Sequence, residues 1–598
     1  MVAVIAGPGT GKTGTLVERA AWLVEQRGVP PAEITAVTFT NKAAGELRER
    51  LEQQCGGKRA VRSMTIGTFH SICLDLLAKQ QNSLRLADPA ESLELAGEVL
   101  AQTGLSCSAG RFLQEVSKFK NGLAADHSLC STEAYSLYCS RLSQAGLLDF
   151  DDLLLQTLTL LEDNVITNLK RFTYLLVDEF QDINDVQYRL LRAWSQQGKE
   201  VFAIGDPDQS IYGFRGSDAH CFERLFRDFP SLKTIDLVNN YRSTPEILSA
   251  SLSVISQNPG AERILHPQLA HGDPVRLLTA PNDFSEAVFV AKEINRLSGG
   301  IDMLDAQRMS GEGTRSFSDI AVLYRTNRQA ELLEKCLRKE SIPYVIAGRD
   351  DFLNAPAVRG TLGFFRFLLD WQDAYSLHSC LSLIWNCPED LIGFAQQLYA
   401  SCPPGNFEAL ESLSPELEGR GPLPLFHQVL LSLIPLYEKE SPRKLLERFA
   451  EKQGLAEKEE LVKLLHTAVF HRSLPEFLQT LLLGQDYDIR RSGGKQYDSG
   501  AVTLMTLHAS KGLEFPVIFL CGVKKGCLPL ETLRRTSDIE EERRLFYVGM
   551  TRAKEELILL TSPEPSIFLD SIPKGMLKTG DVMNRTRPRE AKQLSLFD

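Results

Sequence analysis

The stretch AGPGTGKT at residues 6–13 decides the fold class of this chain. The apolar run 2–6 precedes it, and apolar residues recur at helical spacing from 16 to 24, so the loop joins a strand to a helix. Glycines let backbone N–H groups surround phosphate oxygens, and the helix adds its positive end. The pattern is that of a P-loop with Ala6 at the position of its first glycine. The predicted nucleotide-binding residues are Gly7, Gly9, Thr10, Gly11, Lys12 and Thr13.

A second motif, which is acidic, completes the predicted site. LLVDEFQD at 175–182 ends an apolar run with paired acids, which is typical of a nucleoside triphosphatase. Asp178 is expected to hold Mg²⁺ together with the Thr13 hydroxyl, and Glu179 to polarise the attacking water. Lys12 would place a positive charge on the β- and γ-phosphates. The structural alternatives are a glycine-rich turn and a solvated acidic turn, but the strand before each motif favours the nucleotide site.

The rest of the chain predicts two α/β cores, each interrupted by a helical insertion. Apolar runs that end in polar residues indicate parallel strands whose carboxyl ends carry the chemistry. The first set of predicted strands is 2–6, 34–40, 174–177 and 201–204. The second set is 234–238, 320–324, 344–347, 502–507, 517–520 and 557–560. Residues 76–149 and 366–497 lack strand signals and are rich in Leu, Ala, Glu and Lys.

Composition excludes several classes of protein. The 598 residues are 43% hydrophobic and 24% charged, which is typical of globular chains and not of disordered or fibrous ones. The formal charge of -11 means that any nucleic-acid site must be a local basic groove. The 12 cysteines are scattered, without the spacing of a zinc or iron–sulfur site. We found no export signal or membrane span in the sequence, so a cytoplasmic protein is expected.

Ten sequence blocks stand in the order typical of one helicase family. They are AGPGTGKT (6–13), TFTNKAA (38–44), GTFHS (67–71), DFDDLL (149–154), LLVDEFQD (175–182), GDPDQSIYGFRG (205–216), NYRS (240–243), YRTN (324–327), TLMTLHASKGLEFP (503–516) and EEERRLFYVGMTRAK (540–554). Through these blocks the chain resembles the UvrD/Rep/PcrA family of superfamily 1 DNA helicases along nearly its whole length.

The resemblance implies two RecA-like P-loop cores with mainly helical insertions. Core 1A would comprise 1–75 and 150–230, with insertion 1B at 76–149. Core 2A would comprise 231–365 and 498–562, with insertion 2B at 366–497. Residues 563–598 would be a flexible tail.

The resemblance also assigns roles at the ATP site. Gln209 would sense the γ-phosphate from core 1A, and Arg242 and Arg552 would reach it from core 2A. Tyr241 would stack on the adenine and Glu514 would contact the ribose. For each arginine alone, a surface ion pair is the ordinary alternative.

Single-stranded DNA would cross both cores. The residues implied are Phe39, Thr68, Tyr212, Phe214, Arg215, Asn327 and His508. The aromatic rings would stack on bases, and the other side chains would follow the backbone. The alternative for Tyr212 is a place in the core.

The activity implied is that of an ATP-dependent, Mg²⁺-requiring helicase. It would translocate 3′ to 5′ on single-stranded and partial duplex DNA, in repair or replication. Relatives usually carry a helix before the first strand, with a glutamine that reads adenine. This sequence starts on that strand, so either its start is misassigned or truncated, or adenine recognition is weakened. If the chain is the whole protein, we expect weak selectivity for ATP over other purine triphosphates. The alternative functions are a nucleotide-dependent single-strand-binding protein with impaired unwinding and a helicase–nuclease subunit. The tail after the final motif is short for a nuclease domain.

The last residues, QLSLFD, suggest a partner. They resemble the QLSLF peptide by which bacterial replication and repair proteins bind the β sliding clamp. Leu594, Leu596 and Phe597 would fill a hydrophobic pocket, and Gln593 would hydrogen-bond at its rim. The alternative is that the apolar side chains fold back onto core 2A.

Overall fold

The structure, a computed structural model, describes residues 1–582 except 56, 81–83, 167–168, 214–215, 219, 262, 300–314, 348–351, 404, 470, 484–499, 533–534 and 537. The described residues divide into two compact units. One unit comprises those within 1–85, 96–348 and 493–598, and the other those within 86–95 and 349–492.

The helices and strands follow one another in four stretches of the chain. The first contains β1 (Val2–Ala6), α1 (Lys12–Glu25), β2 (Ile34–Thr38), α2 (Asn41–Gln54), α3 (Lys58–Val61), β3 (Thr65–Thr68), α4 (Phe69–Ala78), β4 (Arg85–Leu86), α5 (Pro89–Thr103), α6 (Ala109–Lys120), α7 (Thr132–Gln144), β5 (Leu147–Leu148) and α8 (Phe150–Glu162). The second contains β6 (Tyr174–Val177), α9 (Asp185–Ser195), β7 (Glu200–Gly205), α10 (Cys221–Asp228), β8 (Lys233–Leu237), β9 (Asn239–Asn240), α11 (Pro245–Ile255), β10 (His266–Pro267), β11 (Val275–Thr279), α12 (Asp283–Leu297), β12 (Ile320–Tyr324), α13 (Asn327–Lys339) and β13 (Tyr344–Ile346).

The third stretch is helical and the fourth returns to strands. The third contains α14 (Pro356–Leu369), α15 (Ala374–Leu383), α16 (Glu389–Ala400), α17 (Phe407–Glu411), α18 (Ser414–Leu417), α19 (Leu423–Leu433), α20 (Pro442–Lys452), α21 (Glu459–Ala468) and α22 (Leu474–Leu483). The fourth contains β14 (Val502–Thr506), β15 (Phe515–Leu520), β16 (Glu531–Thr532), β17 (Arg535–Thr536), α23 (Ile539–Met550), β18 (Ala553–Thr561) and β19 (Leu577–Asp581).

The first core is built on a parallel sheet with the strand order β3-β2-β6-β7-β1-β8. Its inner strands are buried on both faces, and β2 is buried at every position. This is why their sequences are continuous apolar runs. Because the strands are parallel, the residues after β1, β2, β6 and β7 meet at one edge of the sheet.

The second core is built on a parallel sheet with the order β13-β14-β12-β15-β18-β11-β19. Its central strand β12 is fully buried. Two parallel α/β cores with mainly helical insertions are therefore present, and the predicted fold class is confirmed.

Three strands at or next to a sheet edge correct the sequence prediction. Strand β8, predicted at 234–238 as part of the second set, pairs with β1 of the first sheet. Strand β11 was not predicted. Strand β19 at 577–581 pairs with β11, so the prediction of a flexible tail from 563 is wrong for this segment. The exposed side chains of β19 explain why its sequence lacks a buried-strand pattern.

The unit that contains α14 to α22 has its own aromatic core. Phe364 packs against Phe449, with ring centroids 4.5 Å apart, and Trp385 meets Phe426 edge-on at 5.0 Å. Leucines at helical spacing surround these rings. The helical prediction for this stretch is confirmed for its described residues. The assigned domain boundaries remain a prediction.

Candidate active site

The glycine-rich loop needs glycine at two positions. Gly9 and Gly11 have φ angles of +66° and +85°, in the left-handed region that side chains with a Cβ rarely adopt. A Cβ on Gly9 would also lie 2.5 Å from the Cβ of Arg242. The Thr10 hydroxyl donates to the Gly7 carbonyl at 2.9 Å and closes the turn. The loop therefore has the tight wrap that a phosphate site requires.

Helix α1 begins at Lys12, and its first turn carries no acidic residue. The Lys12 ammonium donates to the Gly7 carbonyl at 3.3 Å. Burial lowers the pKa of Lys12, the charge of Glu179 opposes that shift, and Arg242 and Arg552 add to it. The loop thus lies beside a helix N-terminus and several cationic side chains, an arrangement that suits a polyphosphate.

Two acidic side chains, Asp178 and Glu179, follow β6 at the same sheet edge as the loop. The Asp178 carboxylate accepts a hydrogen bond from the Glu179 backbone N–H at 3.0 Å. Glu179 has a φ of +49°, a strained value for a residue with a side chain. Gln181 donates from Nε2 to the Glu179 carboxylate at 2.5 Å. The backbone and Gln181 together fix the direction of the Glu179 side chain.

The pKa values of these two carboxyl groups shift in opposite directions. Burial and then the charge of Glu179 raise the pKa of Asp178 to about 7. Burial alone would raise the pKa of Glu179, but the charges of Lys12 and Lys511 hold it below its usual value. Glu179 therefore remains ionised, as a group that accepts a proton from water must. A cation beside Asp178 would stabilise the ionised form of this carboxyl group.

Gln209, in the turn after β7, connects the two cores. Its Nε2 donates to the Asp206 carboxylate at 2.6 Å. Its Oε1 accepts from Nη2 of Arg552 at 3.1 Å. Because Arg552 precedes β18 of the second sheet, this amide joins the phosphate side of the first core to the second core.

The Arg552 guanidinium is buried, with 2% of the residue exposed. Its Nε donates to the Val548 carbonyl at 2.9 Å, and Nη1 donates to the Leu513 carbonyl at 3.3 Å. Burial and then the charge of Arg242 lower the pKa of Arg552 to about 9. A buried cation held by carbonyl and amide oxygens is stabilised when an anion binds beside it.

Arg242, between β9 and α11, is held in an ion pair. Its Nε lies 2.7 Å from Oε2 of Glu514, and Nη1 donates to the Thr551 carbonyl at 3.2 Å. Oε1 of Glu514 also lies 2.7 Å from the Lys554 ammonium. Burial opposes ionisation of Glu514, but the charges of Arg242 and Lys554 hold its pKa below the usual value. The two residues predicted to contact phosphate and ribose are therefore neighbours.

Tyr241 lies beside the loop with its ring open to solvent. Its backbone N–H donates to the Gly9 carbonyl at 2.9 Å. The residue is 61% exposed, which is unusual for an aromatic side chain and leaves the ring accessible to a flat ligand. The predicted adenine-stacking residue is thus placed next to the phosphate loop.

Phe39 and Tyr212, predicted to stack on bases, stack on each other. Their ring centroids are 5.2 Å apart at an interplanar angle of 12°. The Lys511 ammonium lies 5.0 Å from the centre of the Tyr212 ring, and Tyr212 is 2% exposed. Tyr212 therefore occupies the core position that was its alternative, and a base would reach it only after a rearrangement. Phe214 and Arg215 lie outside the described residues.

The other predicted strand contacts lie at the carboxyl ends of strands in both sheets. Thr68 ends β3, and its hydroxyl accepts from the Ser71 N–H at 3.2 Å, so it caps α4. His508 follows β14, and the exposed Asn327 begins α13 after β12. Each of these residues sits where parallel α/β sheets bind ligands.

Two family models match most of this chain. One, the UvrD/REP helicase N-terminal domain, matches residues 1–230. The other, the UvrD-like helicase C-terminal domain, matches residues 235–393 and 442–564. The chain belongs to the UvrD/REP helicase family. It is accordingly an ATP-hydrolysing helicase, and the predicted family and enzyme class are confirmed.

Individual relatives agree with this assignment. The ATP-dependent DNA helicase PcrA of Staphylococcus epidermidis is 30% identical to this helicase in an alignment 645 residues long, which covers 96% of this chain and 84% of the relative. The ATP-dependent DNA helicase PcrA of Staphylococcus aureus has the same identity and the same coverage.

Sequence reasoning missed a lysine at the centre of this helicase site. The buried Lys511 ammonium lies 2.6 Å from Oδ2 of Asp182 and donates to the Gln209 carbonyl at 2.7 Å. It joins the segment after β14 to the segment after β6 and also lies near Tyr212. The signal was present, since Lys511 stands inside the block TLMTLHASKGLEFP.

Asn240 was missed in the same way. Its Nδ2 donates to the Pro8 carbonyl at 2.7 Å, and its Oδ1 accepts from the N–H groups of Arg242 and Ser243. This buried amide fastens the segment with Arg242 to the phosphate loop. Its place beside Tyr241 and Arg242 in the block NYRS was the available signal.

Two further sequence predictions concern the C-terminal peptide and membrane-spanning helices. Gln593, Leu594, Leu596 and Phe597 lie outside the described residues. Within the part of the chain that the structure describes, no helix has the length and apolar character needed to cross a membrane.

Replacing Gly9 with alanine should disable the phosphate loop. The new methyl group would meet Arg242, and the left-handed backbone would be strained, so we expect at least a tenfold loss of nucleotide affinity. Gly14→Ala, inside α1, is the matched control, because beyond the adjacent helix backbone its Cβ would have no neighbouring atom within 4 Å. Titration with a fluorescent ATP analogue measures both variants. Equal affinities would show that the loop tolerates a side chain at Gly9.

Proposed function

We propose that this helicase hydrolyses ATP to move 3′ to 5′ along single-stranded DNA and to unwind partial duplexes. One observation carries the proposal: the hydrogen bond between Gln209 and Arg552 brings groups of both cores to one phosphate site. A site assembled from two cores makes hydrolysis depend on their approach, which is the requirement for converting turnover into steps.

The side chains have distinct tasks in hydrolysis. Lys12 and the loop N–H groups hold the β- and γ-phosphates. Glu179 orients the attacking water and accepts its proton. Arg242 and Arg552 supply positive charge to the transferred phosphoryl group, whose transition state spreads charge over three oxygens. Gln209 transmits the position of that group to the core that contains Arg552.

The residues present suit Mg²⁺. The Thr13 hydroxyl and the Asp178 carboxylate are the oxygen ligands that Mg²⁺ prefers, and it commonly uses one or two carboxylates together with phosphates. Burial raises the pKa of Asp178 to about 7, so this carboxyl group is stabilised in its charged form by an adjacent cation. Mg²⁺, when bound, neutralises charge on the phosphates.

The DNA strand would follow the carboxyl edges of both sheets. Phe39, Thr68, Asn327 and His508 all lie there, and Phe214 and Arg215 are part of the same proposal. Tyr212 would join the track only if the contacts that bury it open. Stacking on aromatic side chains is worth about 1–3 kcal/mol per base and tolerates any sequence.

The remaining assignments belong to the same proposal. The cores 1A and 2A and the insertions 1B and 2B keep the boundaries given above, except that β8 belongs with the first sheet. The protein would act in repair or replication in the cytoplasm. The alternative is a single-strand-binding protein with impaired unwinding. A strand-displacement assay distinguishes it from an active helicase.

Strand displacement and turnover assays test the activity and its direction. A duplex with a 3′ single-stranded tail should be separated in the presence of ATP, whereas one with a 5′ tail or blunt ends should not. Single-stranded DNA should raise ATP turnover at least tenfold, and RNA of the same sequence serves as the comparison. Displacement only from the 5′ tail would contradict the direction. Turnover without displacement would favour the binding-protein alternative.

The C-terminal peptide is proposed to bind the β sliding clamp. Burial of two apolar side chains contributes roughly 3–5 kcal/mol before ordering costs, so micromolar affinity is expected. A tail peptide with Leu596→Ala and Phe597→Ala is the matched control. Calorimetric titration of the clamp with both peptides should show binding of the native sequence alone. Equal binding, or none, would remove the clamp as a partner without affecting the motor.

A further inference from the structure

A groove lies on the first core at the amino edge of its sheet. Two adjoining cavities, of about 490 and 450 Å³, share Ala32, Lys79 and Arg171 in their walls. We call the two cavities together the basic groove. Each cavity is within the size range of small-molecule sites, and the two adjoin at the three shared residues.

Cationic side chains dominate the basic groove. Arg48, Arg62, Lys79 and Arg171 line the first cavity, and Lys170 contributes to the second. The whole chain carries a formal charge of -11, so this cluster runs against the overall balance. A local concentration of positive charge on an acidic protein is the expected feature of a polyanion site.

Asp75 organises the centre of the basic groove. Its Oδ2 lies 2.7 Å from Nη1 of Arg171 and 3.0 Å from the Lys79 ammonium. Burial would raise the pKa of Asp75, but hydrogen bonds from Arg171 and Lys79 hold it below its usual value. The carboxylate therefore stays charged and keeps the two cations together. Arg48 is positioned separately, through a 3.0 Å hydrogen bond to the Ile66 carbonyl.

The cations of the basic groove are not part of the nucleotide site or of the proposed strand track, although the first cavity extends along β3 to Ser71, which is hydrogen-bonded to Thr68. The phosphate loop, Phe39 and Asp178 follow the carboxyl ends of β1, β2 and β6. Ala32 and Arg171 instead precede β2 and β6. Strands of four or five residues rise about 3.3 Å per residue, which places the positions of Ala32 and Arg171 roughly 13–17 Å from those carboxyl ends. Arg48 lies closer, beside Ile66 of β3. The cations of the groove thus have no task in the chemistry described above.

The side chains favour phosphate over other anions. Arginine presents a planar fork that matches phosphate oxygens in pairs, and lysine adds a compact point charge. Cations distributed along two joined cavities suit a row of phosphates better than a single one. We propose that the basic groove binds the phosphate groups of a linear polyanion, either the backbone of a nucleic-acid strand outside the motor track or a free polyphosphate. Binding of a nucleic-acid strand rests on the proposed function, whereas binding of a free polyphosphate does not.

Charge reversal in the full-length protein tests this site. The variant is Arg62→Glu with Lys79→Glu, and the matched control is Lys444→Glu with Lys458→Glu, two exposed lysines elsewhere. A milder variant, Arg62→Gln with Lys79→Gln, covers the case in which reversal impairs folding, which thermal unfolding reports. The nucleotide site is filled with a non-hydrolysable ATP analogue. The probes are sodium tripolyphosphate and oligodeoxythymidylates of about 10 and about 40 nucleotides, the short one intended to fill the track alone.

The two sources predict different results. If the groove binds a strand, the variant should bind the long oligonucleotide about tenfold more weakly than the parent. The slope of log affinity against log salt concentration should also become shallower by about 1–2. Binding of the short oligonucleotide should not change. If it binds free polyphosphate, only tripolyphosphate affinity should fall, by about tenfold. The control should match the parent protein in both cases.

Some outcomes would overturn the proposed phosphate site in the groove, and others concern only the proposed motor function. If the variant, the control and the parent bind the long strand and tripolyphosphate equally, the groove is not a phosphate site. If the parent protein binds neither the long strand nor tripolyphosphate, the groove is likewise not a phosphate site. A parent that binds tripolyphosphate through Arg62 and Lys79 but no strand of either length contradicts the proposed function and leaves the groove in place.

Discussion

Replacing Glu179 with glutamine is expected to lower strand-stimulated ATP turnover by about 10²–10⁴-fold while nucleotide still binds. The glutamine cannot accept the proton of the attacking water. The phosphate loop and Lys12 remain, so the ground state keeps its ligands. Neutralising position 179 also removes a charge that raises the pKa of Asp178. Steady-state turnover with single-stranded DNA, combined with equilibrium nucleotide binding, measures the two effects separately.

Two variants calibrate this result. Lys12→Ala should lose both binding and turnover, because it removes a phosphate ligand. Glu223→Gln makes the same chemical change on the exposed surface of α10 and should leave both quantities within about twofold of the parent. Turnover at the parent rate in Glu179→Gln would assign proton transfer to another residue.

Replacing Arg552 with lysine is expected to reduce turnover by about 10³–10⁵-fold, although the positive charge is kept. The guanidinium serves the Val548 and Leu513 carbonyls and the Gln209 amide through three different nitrogens. An ammonium is a single point and cannot keep this geometry while it contacts phosphate. Single-turnover hydrolysis of bound ATP isolates the chemical step from nucleotide release.

Arg338→Lys is the matched control for this substitution. Arg338 is exposed on α13 and pairs with Glu334 four residues earlier, so its exchange should change turnover by less than about twofold. A single-turnover rate in Arg552→Lys within about threefold of the parent would show that the fork geometry is not needed. In that case Arg242 would carry the phosphate contact alone.

The sequence predicted the most buried strands well, but it missed β11 and β19 and placed β8 in the wrong set. Residues 174–177 and 320–324 are buried on both faces, so their apolar runs are unbroken and their bounds were predicted correctly. Strand β8 was predicted as a strand, but nothing local assigns it to the first sheet. Strand β19 exposes most of its side chains, and nothing local distinguishes it from a loop. Their assignment to a sheet depends on pairing with β1 and β11, which lie far away in the chain.

The candidate site divides in the same way. The loop at 6–13 and the acids Asp178 and Glu179 were identified from short motifs, because each motif follows its own strand and needs no distant residue. Lys511 and Asn240 stood inside known blocks, but their partners Asp182 and Pro8 are remote in sequence. Tyr212 was predicted to stack on bases, with a core position as the alternative, and only the tertiary structure showed that it is buried against Phe39.

By itself, the sequence determined the fold class, the helicase family and the local phosphate-binding chemistry, since these depend on burial patterns and spacings within a few residues. The tertiary structure decided which side chains meet. Arg552 and Gln209 are separated by 343 positions and share one hydrogen bond. The basic groove gathers residues that precede β2, β3 and β6 together with side chains in and next to α2 and α4. Both arise because parallel pairing aligns strand ends that are distant in the chain, and that alignment cannot be read from any one segment.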